Sequence, residues 1–466
     1  MRLNELFNID KYQDIEINSI KTNSKDVNKG DLFVCVEGVT HDHHEFLDEA
    51  IENGAVACVI AKDIEPKIPY IKVEDPNKTL IEILPKFYND PLSKLKVIGI
   101  TGTDGKTTSA KIVQTFLGED KCAYIGTLGV SYKGILEKTN NTTPSLDILY
   151  MYFDRFVKEG LKYLVMETSS EAFFYNRLEG IHFDIAGLTN VTSDHMNTHR
   201  TIQNYVDCKK KLFINSNFQI LNSKDLHFKE FKEVSKNHIT YGYEENDLLK
   251  IESFRLHPNQ TEIKMKYKGQ TYDIKSSLLG IFNIENLMLA LSICLSLGKD
   301  INDLLKLTNK LSIKGRMQVL NYGQDFYCII DYAHTINSIN NVLEFARCLD
   351  INKIITVTGQ AGGRDKTKRS TIGKLVLEKS DYAILTTDDP RFENPKDIIN
   401  MMLKDTKNTN YEIVLDREEA IKKAISVAKR NDLILALGKG ADLYQKVKDK
   451  TEYYSEEESF AKVLDK

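Results

Sequence analysis

Short apolar runs separated by longer amphipathic stretches organise this chain. Leu32–Val36 and Val56–Ile60 flank a helix-like stretch at Glu45–Asn53, and this small α/β unit closes at the turn sequence Y-N-D-P, 88–91. K-V-I-G-I at 96–100, Tyr163–Met166 and Asp184–Leu188 follow. After Gly315 come Tyr327–Ile330, Ile354–Val357, Tyr382–Leu385 and Leu433–Leu437. Runs this short and this uniformly apolar predict strands buried on both faces. Strands that alternate with helices build mostly parallel sheets. The pattern predicts an α/β protein of three domains, 1–93, 94–312 and 313–466. Ligand-binding groups in such sheets gather just past the carboxyl ends of the strands, where Gly102, Glu167, Asp331, Gly359, Asp388 and Gly438 fall.

Composition narrows the class. Hydrophobic residues make up 41% and charged residues 28% of the 466, an ordinary globular balance in a chain long enough for several cores. A formal net charge of -4 gives no electrostatic case for nucleic acid, and no apolar run approaches the ~20 residues of a membrane span. The N-terminus lacks the charged-then-apolar pattern of a secretory signal. The 7 cysteines are scattered and contain no C-x-x-C, which points to reduced thiols rather than a structural zinc. A cytoplasmic monomer is expected, with neither a nucleic acid nor a membrane as partner.

The clearest chemical signal is G-T-D-G-K-T-T: Gly102, Thr103, Asp104, Gly105, Lys106, Thr107 and Thr108. It leaves the 96–100 strand and enters a helical stretch beginning near Ser109. Glycines let backbone N–H groups turn inward around phosphates, and a helix N-terminus adds positive potential. Lys106 is placed to bridge the β- and γ-phosphates of ATP, and Thr107 to offer its hydroxyl to Mg²⁺. The loop is shorter than G-x-x-x-x-G-K-[ST], and a chance Gly-Lys turn is the competing reading. Its place between strand and helix favours the phosphate site.

This loop resembles that of the Mur ligases, whose central ATPase domain is shared with folylpolyglutamate synthases. The rest of the chain is similar to the MurE branch, in order and over essentially its whole length. The matching segments begin with N-S-K-D-V-N-K-G-D-L-F (23–33), N-T-T-P (141–144), M-E-T-S-S (166–170) and T-N-V-T-S-D-H (189–195). Tyr205 with Lys209, and Asn283 with Asn286, continue the series. G-R-M (315–317), D-Y-A-H (331–334), R-D-K-T-K-R (364–369), D-D-P-R (388–391) and G-K-G (438–440) complete it. Each is modest alone; the ordered set is specific.

The resemblance implies a small N-terminal α/β domain for the uridine end of a UDP-linked muramyl peptide, a central P-loop ATPase domain, and a C-terminal Rossmann-like domain for the incoming amino acid. It also implies a two-step reaction. A substrate carboxylate attacks the γ-phosphate of ATP to give an acyl phosphate, and an amine then displaces phosphate. By the same resemblance Glu167 joins Thr107 in binding Mg²⁺, an ion that prefers oxygen ligands. His195 holds a second Mg²⁺, and Lys209 stands where the family carries a carbamylated lysine; with Lys106 these form the catalytic set. Asn283 and Asn286 correspond to the pair that reads adenine, a use suited to an amide, though helix capping before Leu287–Leu297 is another reading of Asn283. Arg316, Asp331 and His334 complete the nucleotide contacts. Ser24, Thr142, Thr143, Ser169 and Arg177 correspond to contacts with the UDP-peptide. Arg369, Asp388, Asp389, Arg391, Gly438 and Asp442 belong with the incoming diamino acid. His41, His43 and His44 are expected to form a polar turn near the uridine pocket rather than a metal site.

Substrate-facing positions depart from the family pattern more than catalytic ones. Glu171 replaces a histidine, Tyr175 a glutamine, Lys314 and Ile336 prolines, and A-D (441–442) the H-E of G-K-G-H-E. In the family, arginine in the fourth position of D-D-P-R accompanies diaminopimelate, whose distal carboxylate a guanidinium grips bidentately. Asp389 in the second position is frequent in lysine-adding members. Diaminopimelate is therefore the expected amine and lysine the alternative. A divergent ligase acting on a different UDP-peptide, such as a pseudomurein precursor, also stays open. So does an inactive binding protein, though that would be expected to lose Lys106, Glu167 or Lys209. A folylpolyglutamate synthase would lack the N-terminal unit, and the ATPase half of a lipid-precursor amidating complex would carry zinc-ribbon cysteines.

Overall fold

The computed structural model describes residues 1–39 and 41–465, which divide into two units, Met1–Ile239 and Thr240–Lys466. The first unit opens on a parallel sheet of β1 (Ile20–Lys21), β2 (Leu32–Val34), β3 (Ala57–Ile60) and β4 (Tyr70–Lys72), paired in that order. The helix Pro76–Phe87 follows. Asp75 accepts the N–H groups of Asn77 and Lys78 at its start, and a proline with its φ already helical occupies the first turn.

A larger sheet of the same unit contains β5 (Lys96–Thr101), β6 (Cys122–Gly126), β7 (Gly129–Tyr132), β8 (Ile135–Glu137), β9 (Tyr163–Glu167), β10 (Phe183–Leu188) and β11 (Ser216–Asn222). Its order is β11-β10-β5-β9-β6-β7-β8, with β11 through β6 parallel and β7 and β8 antiparallel. The chain passes from β5 out to β6, returns to β9 and then crosses to β10. β5 is thus the switch point, where a ligand crevice opens at the strand ends. The two sheets are separate, yet one apolar core runs from Leu32 and Val34 through Leu84 to Val97, Leu149 and Phe153.

The boundary between the units falls within β12 (His238–Gly242); β13 (Leu249–Leu256), β14 (Thr261–Tyr267) and β15 (Gln270–Ser276) follow, paired consecutively with it, the last three antiparallel. After the helix Ile281–Ser296 comes a separate sheet of β16 (Gln318–Leu320), β17 (Tyr327–Asp331), β18 (Ile354–Thr358), β19 (Tyr382–Leu385), β20 (Tyr411–Ile413) and β21 (Leu433–Leu437). Its order is β16-β17-β21-β18-β19-β20, parallel apart from the β16 edge. A hairpin of β22 (Tyr444–Val447) and β23 (Lys450–Tyr453) follows. Among the described residues no helix is long and apolar enough to cross a membrane, and all the cysteines are free.

Below the β21 end of this sheet, Arg417 and Glu456 form a fully buried ion pair, with Nη2 and Nε each 2.9 Å from a carboxylate oxygen and side-chain exposures of 1% and 0%. Removing one partner of such a pair strands the other charge, at a cost of about 3–5 kcal/mol. Glu456→Gln should therefore lower the denaturant midpoint of this unit well beyond any surface Glu→Gln control, such as Glu418→Gln.

Candidate active site

In the first unit the phosphate loop turns off β5 at Gly102, whose φ of 149° and close approach to Thr189 leave no room for a side chain: a Cβ would lie 1.8 Å from the Thr189 hydroxyl. The helix begins at Lys106, three residues earlier than the sequence pattern indicates, because the loop is too short to delay it. Lys106 Nζ donates to the carbonyls of Gly102 (3.0 Å) and Thr103 (2.8 Å). The Thr107 hydroxyl donates to Glu167 Oε2 at 3.0 Å.

Glu167 ends β9 with no exposed surface. Its carboxylate accepts hydrogen bonds from the Tyr124 hydroxyl (2.5 Å), the Thr127 N–H (3.0 Å) and the Thr127 hydroxyl (3.1 Å) as well as from Thr107. A buried carboxylate served by neutral donors, with no ion pair among the described residues, suits a hard cation that brings its own charge. Tyr124 and Thr127 did not figure in the sequence reading. They come from β6 and its turn, where nothing in the local sequence marks a ligand.

Lys209 lies on the helix Ile202–Ile214 and is buried, 1% exposed. Its Nζ donates to the Gly102 carbonyl at 2.6 Å and sits 4.3 Å from the centre of the Tyr205 ring. Burial, reinforced by the neighbouring Lys106 charge, pushes its pKa well below the ordinary lysine value. His195, with a left-handed backbone (φ 55°), is half exposed, its Nδ1 3.5 Å from Glu171 and its Nε2 3.5 Å from Asp194. The His195 ring beside it holds the Glu171 carboxyl down at about 2. Thr143 donates to the Glu167 carbonyl (2.9 Å) and lies 3.3 Å from the Ser169 hydroxyl. Arg177 reaches the Thr143 carbonyl at 3.4 Å, and Thr142 lies 3.3 Å from Thr127. Phosphate loop, Glu167, Lys209 and the 142–143 segment thus converge on the carboxyl ends of β5 and β9.

Beside them opens a cavity of about 970 Å³, lined among others by Lys21, Asn23, Lys25, His43, Lys138 and Arg177. Ser24 is a correction. It is buried and turned away from the cavity, its hydroxyl donating to Glu49 at 2.5 Å, while its neighbours Asn23 and Lys25 face the space. His41 and His43 line the cavity, as a polar turn should. Glu37, Asp42 and His44 place potential ligand atoms within 4.8 Å of one another. His44 is nevertheless fully engaged, Nδ1 with Asp42 (2.6 Å) and Nε2 with the Ala61 N–H (2.9 Å), so it staples the turn to the fold.

In the second unit Asn283 and Asn286 lie inside the helix Ile281–Ser296, whose N-cap is Gly280. The capping reading of Asn283 therefore fails. Both amides are buried, and Asn286 Nδ2 donates to Asn283 Oδ1 at 3.0 Å. At the end of β17 the Asp331 carboxylate accepts the N–H groups of Met317 (2.7 Å) and Ala333 (2.8 Å), tying the 315–317 segment to the 331–334 loop. Arg316 stacks its guanidinium 4.4 Å from the centre of the Tyr332 ring, and His334 Nδ1 lies 2.9 Å from the Tyr332 carbonyl.

The D-D-P-R segment follows β19. Gly438, with φ 115°, lets the Asp388 carboxylate close on the β21 end; a Cβ there would meet it at 2.7 Å. Burial pushes the pKa values of both Asp388 and Asp442 up. Asp389 is paired with Lys439 at 2.8 Å. Arg369 is the second correction. It is 1% exposed and committed to Glu393 through two hydrogen bonds of 2.8 and 3.0 Å, so it braces the 361–369 loop instead of facing a ligand. Arg391 makes no ion pair among the described residues. Of the two acids two residues away, Glu393 is held by Arg369 and Lys366 and Asp389 by Lys439. The Lys439 contact with Asp389 is marked in the sequence only by a lysine between two glycines at the end of a wholly apolar strand.

Two mostly parallel sheets, one with a Gly-Lys loop at its switch point and the other with aspartates and Arg391 past its strand ends, form an architecture suited to an ATP-using synthetase. Residues 100–294 match the Mur ligase middle domain and 315–440 the Mur ligase glutamate ligase domain. A UDP-N-acetylmuramoyl-L-alanyl-D-glutamate–2,6-diaminopimelate ligase of Clostridium acetobutylicum is 37% identical, over 98% of each chain. One of Fusobacterium nucleatum is 36% identical, over 96% of this chain and 93% of its own. A solved diaminopimelate ligase of the same name superimposes over 100% of this chain and 99% of its own, with a TM-score of 0.72 at 24% identity. A MurF ligase from Thermotoga maritima in complex with ADP does so over 91% and 94%, with a TM-score of 0.64 at 20% identity; these two share the fold. The chain belongs to the Mur ligase family.

Proposed function

We propose that this ATP-dependent ligase joins diaminopimelate to the terminal carboxylate of a UDP-linked muramyl dipeptide through an acyl phosphate. The observation that carries the phosphoryl-transfer half is the buried Glu167 carboxylate, hydrogen-bonded to the phosphate-loop hydroxyl of Thr107 and unpaired with any cation among the described residues. Glu167 and Thr107 would hold Mg²⁺, with His195 and a carbamylated Lys209 at a second ion. Bound Mg²⁺ would supply the charge neutralisation that phosphoryl transfer requires. Lys209 fits that modification because a buried amine with a depressed pKa carries the free electron pair that attacks CO₂, releasing one proton as the carbamate forms. The cavity, about 970 Å³ and lined by Lys21, Lys25, Lys138 and Arg177 against Asp26, Glu37 and Glu179, is roomy enough for a nucleotide-linked sugar peptide.

The choice of amine rests on Arg391, which has no ion-pair partner among the described residues and is suited to a distal carboxylate that lysine does not possess. Arg391→Ala should raise the KM for diaminopimelate by up to ~100-fold, the worth of a lost charge-assisted pair, while changing that for lysine little. Equal effects on both amines would reassign the arginine.

The direct test is phosphate release from ATP by the purified protein, given the UDP-muramyl dipeptide and each amine in turn. Release that needs both the dipeptide and diaminopimelate, with a product heavier by one diaminopimelate residue, is the expected result. Release driven by lysine alone, or by neither amine, overturns the proposal.

A further inference from the structure

Asp388, Asp389 and Asp442 lie around the carboxyl ends of β19 and β21, where a diamino acid's ammonium would be received. Lys439 leaves β21 into the same space with its side chain 1% exposed. Its Nζ is 2.8 Å from Asp389 Oδ1, 3.8 Å from Asp388 Oδ1 and 5.0 Å from the centre of the Tyr444 ring. The same Asp389 oxygen also accepts the Lys446 N–H at 3.1 Å. The Asp389 backbone is fixed too, its carbonyl accepting the Gly362 N–H at 2.8 Å. Asp442 differs: its carboxylate has no ion-pair partner among the described residues, and burial raises its pKa.

We infer that Lys439 is a built-in ammonium that occupies Asp389, so that Asp389 does not read the substrate amine and selection falls to Arg391 and Asp442. This rests on the diamino-acid reading above and deepens it. A desolvated carboxylate already holding a cation and an amide N–H gains little from a second ammonium, which the first repels at short range. Asp389 is an acid in sequence and electrically silent in the pocket. Lysine, which offers only an amine where diaminopimelate offers an amine and a carboxylate, then leaves Arg391 without a partner. Lys439 is a positioning and specificity residue in this account, acting through Asp389.

The experiment compares Asp389→Asn, Lys439→Met and the double variant in the same ligation assay, with KM and kcat measured separately for diaminopimelate and lysine and with thermal melts as fold controls. The double variant, which removes both buried charges together and strands neither, should leave the KM for diaminopimelate within about threefold of wild type. A rise of about tenfold or more, the loss expected when a charge-assisted contact to substrate is removed, overturns the inference. Lys439→Met should uncover Asp389 and raise kcat/KM for lysine relative to diaminopimelate by about tenfold, and adding Asp389→Asn should cancel that gain. A folded Lys439→Met protein with unchanged preference, or a gain that survives in the double variant, also overturns it. Should Lys439→Met, which leaves Asp389 buried without its cation, fail to fold, the KM of the double variant decides alone. Failure of the functional reading looks different: the wild type itself then shows no diaminopimelate-dependent phosphate release, and the inference falls with it.

Discussion

Lys106→Ala should abolish measurable ATP turnover, with a loss of about 10²–10³ or more in rate and a fold left intact. Acyl-phosphate formation involves no covalent protein intermediate, so its acceleration comes from fixed charge and positioning, and removing one preorganised donor costs on the order of 10²–10³. Lys106 is the first residue of its helix, and its ammonium touches only the loop carbonyls of Gly102 and Thr103. The variant therefore leaves no buried charge unpaired. A parallel measurement of ADP affinity separates the two roles of the residue, because a ground-state contact would show mainly as weaker binding and a transition-state contact mainly as slower turnover. Near-normal phosphate release by a folded variant would place the chemistry somewhere other than this loop.

What was legible in the sequence, and what was not, follows from how far apart the interacting residues lie. Strands buried on both faces announce themselves as unbroken apolar runs, and Tyr382–Leu385 and Leu433–Leu437 stand where the pattern puts them. The antiparallel strands β13 to β15 were not seen, because segments such as K-I-E-S-F-R-L are exposed over Glu252–Arg255 and mix charge with apolar residues. Their turn, Lys268 and Gly269 with φ of 48° and 81°, is a tight hairpin that lysine disguises. The G-T-D-G-K-T-T turn between strand and helix was readable because its parts are contiguous. Tyr124 on Glu167 and Lys439 on Asp389 were not, since each pairs residues tens of positions apart. Ser24 and Arg369 show what a motif leaves out: it says which residues travel together, and only packing decides which of them turns inward, as these do toward Glu49 and Glu393.

Lys209→Ala should be folded and inactive, with turnover lower by on the order of 10³-fold, comparable to losing a charge that neutralises the phosphoryl transition state. Stability argues for a folded variant. The wild-type amine is buried at the expense of its own protonation, and its hydrogen bond to Gly102 is shared with Lys106, which remains. The catalytic loss has a different origin from that of Lys106→Ala, and two observations tell them apart. If Lys209 carries a carbamate, short carboxylates such as formate or acetate should restore part of the Lys209→Ala activity, because the gap left beside Gly102 and Tyr205 would admit an anion able to stand in for it; they should do nothing for Lys106→Ala. Intact wild-type protein analysed without acid quenching should be heavier by the mass of one CO₂, and depletion of bicarbonate should remove that mass and the activity together. If Lys209 acted instead as an ammonium toward phosphate, an arginine would preserve function and a carboxylate would not rescue. Burial, reinforced by the neighbouring Lys106 charge, disfavours the charged form of the amine and so weighs against that role. An active, nucleotide-bound enzyme with Lys209 unmodified would contradict the carbamate directly.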